Sequence, residues 1–289
     1  MLPVEGTVVT YPAGDLESTG TVLHVVEVGD GRLAVVLDVT ACHPVDSAWP
    51  DQPADRAVLS VDGRDFTVLD CVVGATDGAE LYLGSDVPVR KGTEGWVFVA
   101  AHLVEAAAGS IAEGSSATIT VDALYRLALS VGHTACHLAS LALNAELASA
   151  WTKDVAADAY GNPNFDALAI ESSLIHENGS LDVYRLGKSL RKKGFTPAVL
   201  TDNVEGIAAA VTARLAAWVA TDAPAAIESD GRALTDRRYW RTELDGVAIS
   251  IPCGGTHAAS LGGLAGIRSS FEVSDEGSAI EVRMTTDVV

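Results

Sequence analysis

Positive charge is scarce in this chain. Its 289 residues hold 19 Lys and Arg against 39 Asp and Glu, a formal net charge of −20. That balance excludes a uniformly basic surface, and any polyanion must be held through local clusters with modest, salt-sensitive affinity. No DNA partner is expected. Cysteine is also rare, with Cys42, Cys71, Cys136 and Cys253 scattered along the chain. This pattern suits reduced cytoplasmic thiols and excludes a disulfide framework. No run of about twenty apolar residues occurs, so neither a membrane span nor a membrane partner is expected. The opening MLPVEGTVVTYPAG has no basic region followed by an apolar core, so no secretory signal is expected and the location reads as cytoplasmic. Internal repeats and low-complexity segments are absent. What remains is a globular composition, 48% hydrophobic, long enough for one large or two moderate domains.

The first hundred residues read as all-β. Thr19–Val28 and Leu33–Thr40 flank Gly29-Asp30-Gly31, and Val58–Val61 and Phe66–Val73 flank Asp62-Gly63. Glu80–Leu83 follows Asp77-Gly78, and Gly95–Ala100 carries Trp96 and Phe98. Short strands joined by tight turns predict a small β-barrel domain over 1–105. Ala106–Ser116, small and Gly/Ser-containing, reads as a linker or a weak helix with a loop. The second domain is placed at 119–289. From Val121 to Leu147, apolar residues at spacings near three and four (Leu124, Leu127, Ala128, Val131, Ala135, Leu138, Leu141) predict a long helix with that face buried, capped by Asp122. A hairpin over Ala167–Leu186 turns at Asn178-Gly179. A second helix spans Asn203–Thr221, capped by Thr201 or Asp202. A hairpin follows around Asp245-Gly246, and a last one around Asp275-Glu276-Gly277. The fold class is α+β: a small N-terminal β-barrel, then an antiparallel sheet with a long helix.

Two stretches carry chemistry. In the long helix, His133-Thr134-Ala135-Cys136-His137 puts two imidazoles on one face, with Cβ atoms about 5–6 Å apart, close enough to share one metal ion. Alone, the pair reads equally well as two core histidines. Far downstream, Cys253-Gly254-Gly255-Thr256-His257 repeats the spacing with a thiol and an imidazole, and its glycines let the backbone approach a ligand. Together the two stretches make a plausible tetrahedral zinc set. Four protein ligands suit a closed structural zinc as well as a working one. Zinc peptidase chemistry is disfavoured, because the position after the first histidine is Thr134 where H-E-x-x-H enzymes carry a general base. Cys136 reads as a small buried residue, and Cys42 and His43 as ordinary loop residues.

On these motifs the chain resembles the metal-dependent editing domain of alanyl-tRNA synthetase and its free-standing AlaX-type relatives, with a more distant kinship to the threonyl-tRNA synthetase editing domain. The family's H-x-x-x-H falls on His133 and His137, and its C-G-G-T-H on Cys253 and His257. The resemblance implies a Zn2+-dependent hydrolase of mischarged aminoacyl-tRNA, with these four residues as metal ligands and catalytic centre. It also implies a barrel ahead of the editing domain. Asp38-Val39-Thr40 through Pro44 and Gln52-Pro53-Ala54-Asp55 are similar to the family's D-x-T-x-x-x-P and G-G-Q-P-x-D segments, but Trp49-Pro50-Asp51 stands where a glycine pair should precede Gln52. The Q-K-G-S segment becomes Ile170-Glu171-Ser172-Ser173, losing the glutamine and keeping Ser173. Leu261-Gly262-Gly263-Leu264 replaces T-x-E-I-G. Ser173, Gly254, Gly255, Thr256 and Gln52 are thereby candidate substrate contacts, and the departures point to an altered amino-acid pocket.

Residues 1–118 hold 5 basic and 18 acidic side chains and residues 119–289 hold 14 and 21, so the basic residues concentrate in the domain with the metal motifs. Lys188, Arg191, Lys192 and Lys193, with Arg237, Arg238 and Arg241, are candidate contacts to a tRNA backbone or else solvated faces. The expected activity is deacylation in trans of Ser- or Gly-tRNA(Ala), or of a threonine analogue such as fluorothreonine on tRNA(Thr). The alternatives are a zinc-dependent hydrolase of a small-molecule ester or amide, and a non-catalytic zinc or tRNA-binding module. The oligomeric state stays open.

Overall fold

A computed structural model describes residues 1–289 apart from Ser47, Glu276 and Ser278. The fold is α+β with mostly antiparallel sheets and one long helix. Two compact units emerge. The first is Met1–Arg126 with Ile227–Arg238 and Cys253–Thr256, and the second is Leu127–Ala226 with Tyr239–Pro252 and His257–Val289.

The first unit contains β1 (Val8–Val9), β2 (Glu17–Glu27), β3 (Arg32–Leu37), β4 (Val39–Thr40), β5 (Ala57–Val61), β6 (Arg64–Val68), β7 (Asp70–Thr76), β8 (Leu81–Leu83), β9 (Val97–Glu105) and β10 (Ser116–Val121). Eight of these form one antiparallel sheet in the order β6-β5-β10-β2-β3-β9-β7-β8. The sheet curls so that β6 lies against β9, a half-barrel enclosing Leu37, Leu59, Phe66, Val104 and Ile119. The β5–β6 turn follows its sequence, since Asp62 and Gly63 both take positive φ, 51° and 73°, as a type I′ hairpin requires.

Strand β10 sits inside that sheet between β5 and β2, where the sequence reading has only the end of a linker, at Ser116, and no strand. Its Ser-Ala-Thr-Ile-Thr-Val alternation is a strand signal hidden by the Gly/Ser-rich stretch before it. Ala117, Ile119 and Val121 point into the core while the residues between them do not.

Helix α1 (Ala123–Glu146) starts where Asp122 caps it, its Oδ1 accepting from the Leu124 and Tyr125 amides at 3.0 and 3.1 Å. The predicted face is buried at Val131, Ala135, Leu138 and Leu141, but not over its first turn, where Leu124 is 80% and Leu127 57% exposed; Leu129, Ala139 and Ala142 widen the buried face.

In the second unit α2 (Phe165–Ala169) leads into β11 (Ile170–His176) and β12 (Gly179–Leu186). Then come α3 (Lys188–Lys192), α4 (Ala198–Thr201) and α5 (Val204–Val219), and, past β13 (Ala226–Ser229), which runs into the first unit from Ile227, β14 (Arg238–Leu244), β15 (Val247–Pro252), β16 (Arg268–Asp275) and β17 (Ile280–Asp287). The order β11-β12-β17-β16 makes a four-stranded antiparallel sheet. The segment predicted as the start of the β11 strand is helical up to Ala169, where Asn164 accepts from the Ala167 amide. Neither Thr201 nor Asp202 caps α5. Asn203 holds that position, with no side-chain cap bond. The final hairpin forms as expected, although Glu276 of its turn lies outside the described residues.

Close approach of α1 to the sheet depends on Gly132. A Cβ there would sit 2.4 Å from the His176 carbonyl oxygen and 2.6 Å from that of Gly179, while one at Gly179 would sit 2.5 Å from the Thr286 carbonyl oxygen of the neighbouring strand. Contacts that short require glycine. Those at Gly132 press the helix onto the β11–β12 turn one residue before His133.

Two tests follow from this fold. Asp55 is fully buried and held by Arg126. Arg126→Ala is expected to cost about 3–5 kcal/mol by leaving that carboxylate without a counter-charge, read as a lower urea midpoint, while the paired change Arg126→Met with Asp55→Leu recovers most of the loss. His43 and His102 are buried, and burial pushes each down to about 4. The unfolded chain binds these protons near pH 6.5 and the folded chain does not. Their stabilisation is therefore complete above pH 6.5 and falls away towards pH 4, about 2 kcal/mol per histidine at pH 5. Urea titrations at pH 7.5 and 5.0 check this, and equal midpoints would exclude it.

Candidate metal centre

Three imidazoles converge within the second unit. Ring centroids of His133 and His137 are 4.9 Å apart, those of His133 and His257 4.4 Å, and those of His137 and His257 5.0 Å. The first two stand one helical turn apart on α1. His257 comes from the loop after β15, four residues beyond Cys253. The ligand atoms of His133, His137 and His257 lie within 4.8 Å of one another. The paired motifs of the sequence thus meet at one point.

The indole of Trp240, on β14 and fully buried, walls the site at 5.4 Å from His137 and 5.7 Å from His257. Burial in these surroundings pushes His137 down to about 4, so the ring is neutral at physiological pH, as a metal ligand must be. Its Nε2 is buried with no hydrogen-bond partner among the described residues. A buried acceptor or donor left unmatched costs about 1–3 kcal/mol, and a cation at this point removes that cost.

Burial pushes the Cys253 thiol the other way, up to about 12, opposed by a bond from the Gly255 amide. A coordinating metal deprotonates such a thiol outright, and the Gly255 N–H is placed to stabilise the thiolate. The residues therefore fit a soft-to-borderline divalent ion such as zinc, and loading releases a proton from Cys253.

Thr134 orients His257, a role its sequence position does not announce. Its hydroxyl donates to the Ser130 carbonyl at 2.8 Å. The oxygen is then left to accept from the Ala258 amide at 3.0 Å and from His257 Nδ1 at 3.1 Å. This assigns the proton of His257 to Nδ1 and its lone pair to Nε2, the tautomer fixing commonly seen behind metal-bound imidazoles. Thr134 thus takes over, as an orienting group, the position at which zinc peptidases place a base.

The remaining candidates separate into distinct environments. Gln52 is buried, its Nε2 donating to Thr256 Oγ1 at 2.9 Å and its Oε1 accepting from the Thr256 amide at 3.0 Å. Through these two bonds Gln52 holds the cysteine–histidine loop. A side chain at Gly254 would meet no atom within 4 Å, so that face of the loop is open. Ser173 donates to Asp182 Oδ1 at 2.6 Å, Ser180 donates to its Oδ2 at 3.1 Å, and the Cys136 thiol lies 3.5 Å from Oδ1. Cys136 therefore belongs to a polar cluster on a neighbouring face of α1, where burial raises both its thiol and the Asp182 carboxyl. Asp182 carried no sequence signal beyond an acid at an inward strand position.

Arg238 is corrected: it is buried and donates to the carbonyls of Ala233 at 2.7 Å and Leu234 at 3.3 Å, which removes it from any phosphate surface. Lys188, Arg191, Lys192, Lys193, Arg237 and Arg241 are exposed.

A second grouping, Cys42, Cys71 and His102, lies in the core of the first unit. His102 already uses both ring nitrogens, with Thr40 Oγ1 at 2.9 Å and the Val35 carbonyl at 3.0 Å, so it is a hydrogen-bonded core histidine.

No helix is long and apolar enough to cross a membrane. The chain matches no family model and no curated protein.

The metal centre predicts one divalent ion per chain. Cobalt(II) loading should give a thiolate-to-metal charge-transfer band that is lost in Cys253→Ser and kept in Cys136→Ser. Thr134→Val should weaken metal affinity by about 10–100-fold through loss of His257 orientation, whereas Thr134→Ser retains it. Equal affinities in a competition titration would exclude the orienting role.

Proposed function

We propose that the chain is a zinc-dependent deacylase that hydrolyses the ester of a mischarged aminoacyl-tRNA in trans. The observation that carries this reading is the convergence of His133, His137 and His257, drawn from two separate motifs, within the second unit, without a general base in the helix between the histidines. The curled sheet of the first unit is read as the barrel that precedes such a domain.

A zinc ion held by these residues supplies positive charge for the ester carbonyl or for the substrate's amino or hydroxyl group. The chain's own groups do the rest. His133 and His137, one helical turn apart on α1, fix two ligand directions, and Thr134 fixes the third through His257. The Trp240 ring excludes water from one side. The open face at Gly254 leaves room for the terminal ribose. Ser173, whose proton is committed to Asp182, presents an oxygen that accepts hydrogen bonds.

The substrates that fit are Ser- or Gly-tRNA(Ala), or a threonine analogue such as fluorothreonine on tRNA(Thr). Trp49, at 46% exposure, marks the loop that departs most from the family pattern. A second reading is hydrolysis of a small-molecule ester without tRNA, which the net charge of −20 favours.

The test is deacylation of a panel of labelled Ser-, Gly- and Ala-tRNA(Ala) and Thr- and analogue-charged tRNA(Thr), with wild type beside His133→Ala. Selective loss of one mischarged species, reduced at least about 100-fold by His133→Ala, is the expected outcome. Turnover of free amino-acid esters at a rate indifferent to tRNA would replace this reading with the second, and no turnover of either would remove both.

A further inference from the structure

Residues 183–201 contain five basic side chains and no acidic one, in a chain with 39 acids. Four of the five, Lys188, Arg191, Lys192 and Lys193, lie on α3 or at its C-cap and are exposed. Arg185 pairs with Glu171 at 3.4 Å, whereas none of the other four forms an ion pair among the described residues. The helix dipole does not account for them all. It favours Arg191 and Lys192 in the last turn and disfavours Lys188 at the first position. Burial does not account for them either.

The second unit fixes where this patch sits relative to the imidazoles. The Thr196 amide bonds the Ala150 carbonyl at 2.8 Å, the Thr152 amide the Gly194 carbonyl at 2.9 Å, and Lys153 Nζ the Lys192 carbonyl at 2.9 Å. These bonds tie the C-terminal end of α3 to the chain just beyond α1. Counted along α1 and the short 3-10 turn after it, His137 and Ala150 are separated by about 20 Å. The patch stands at one end of this helical ruler and the metal centre at the other.

We propose that Lys188, Arg191, Lys192 and Lys193 form the docking surface for the phosphate backbone of an RNA stem whose single-stranded 3′ end reaches the metal centre. The proposal rests on the deacylase reading and names where its partner is held. The spacing suits it, since at about 3.4 Å per stacked nucleotide, more when unstacked, a single strand of a few nucleotides covers the distance. The acidity of the whole chain does not cancel the patch. At physiological salt the screening length is about 8 Å, so a phosphate at α3 responds to the nearby cations and little to acids beyond that range.

The experiment compares wild type with the fourfold variant Lys188→Gln, Arg191→Gln, Lys192→Gln, Lys193→Gln. All four side chains are exposed and outside the metal centre, so the fold is expected to survive, checked by circular dichroism and metal content. Binding of uncharged tRNA is measured over a range of NaCl concentrations. The expected result is a slope of log affinity against log salt reduced by about two to three, with affinity at low salt about 10–100-fold weaker. On charged tRNA the variant raises KM, while on an aminoacylated CCA trinucleotide its kcat/KM is unchanged.

Unchanged tRNA binding by the variant overturns the proposal, as does wild type that binds anionic phospholipid vesicles and not tRNA. The two readings fail separately. Patch-dependent tRNA binding without ester hydrolysis removes the deacylase and keeps the docking surface. Hydrolysis that is indifferent to the four substitutions does the reverse.

Discussion

Asp55 lies fully buried in the first unit, and its burial is tolerable because of one guanidinium. Arg126 Nε donates to Oδ1 at 2.7 Å and Nη2 reaches Oδ2, while the other Nη2 hydrogen serves the Ala41 carbonyl at 2.8 Å. The His43 amide completes the carboxylate's shell at 2.6 Å. A buried pair of this kind costs several kcal/mol per ion in desolvation, which its Coulomb attraction only roughly offsets. Its contribution is positional. The segment Gln52–Asp55 fastens two stretches at once: Asp55 holds the first turn of α1 through Arg126, and Gln52 holds the cysteine–histidine loop through Thr256. Those are the stretches that carry the candidate ligands. An apolar substitute would fill the same volume but would not fix one register for both.

The same burial shifts the ligands in opposite directions, and both shifts suit a metal. The charged form of an imidazole is the protonated one and that of a thiol the deprotonated one, so a dry site lowers His137 to about 4 and raises Cys253 to about 12. Without a cation His137 and Cys253 are neutral and the His137 Nε2 is unmatched. With a divalent cation the imidazole needs no proton removed, the thiol gives up one, and the Nε2 is matched. The His137 Nε2 gains a partner only when loaded, whereas His102 in the half-barrel core is balanced by Thr40 and Val35 as it stands. Similar groupings of histidine and cysteine are thus told apart by whether their lone pairs are already engaged.

How much of this was legible in the sequence varied with the range of the interaction. Hairpins at Asp62-Gly63 and Asp245-Gly246 were legible because the turn demands positive φ at adjacent residues, and the α1 cap because Asp122 acts on amides two and three residues away. The metal ligands were legible because their spacing encodes geometry within each motif. Strand β10 was missed because its neighbours β2 and β5 come from distant sequence, and it lies between a stretch read as a linker and the start of the predicted helix. The exposed Leu124 and Leu127 were misplaced because helical periodicity tells which residues share a face and not where cover begins. Gly132 on Gly179, Thr134 behind His257, Asp182 under Cys136 and Gln52 on Thr256 are all pairings of ordinary residues, and nothing local distinguishes them.

The position of Thr134 also limits the chemistry open to this site. Amide cleavage expels an amine, a poor leaving group until it is protonated, and zinc peptidases supply that proton from the glutamate following the first histidine. Here that residue is a threonine whose proton goes to Ser130 and whose oxygen is taken by Ala258 and His257. Asp182, a buried carboxyl on a neighbouring face of the helix, is committed to Ser173 and Ser180. On the proposed reading the helix therefore supplies no side-chain acid for the leaving group. An ester of a ribose hydroxyl meets that condition far better than a peptide does, because the departing oxygen needs less help than an amine and charge stabilisation at the carbonyl does most of the work. On that reading, a helix that offers Thr134 in place of a proton-transfer group suits an activated acyl ester.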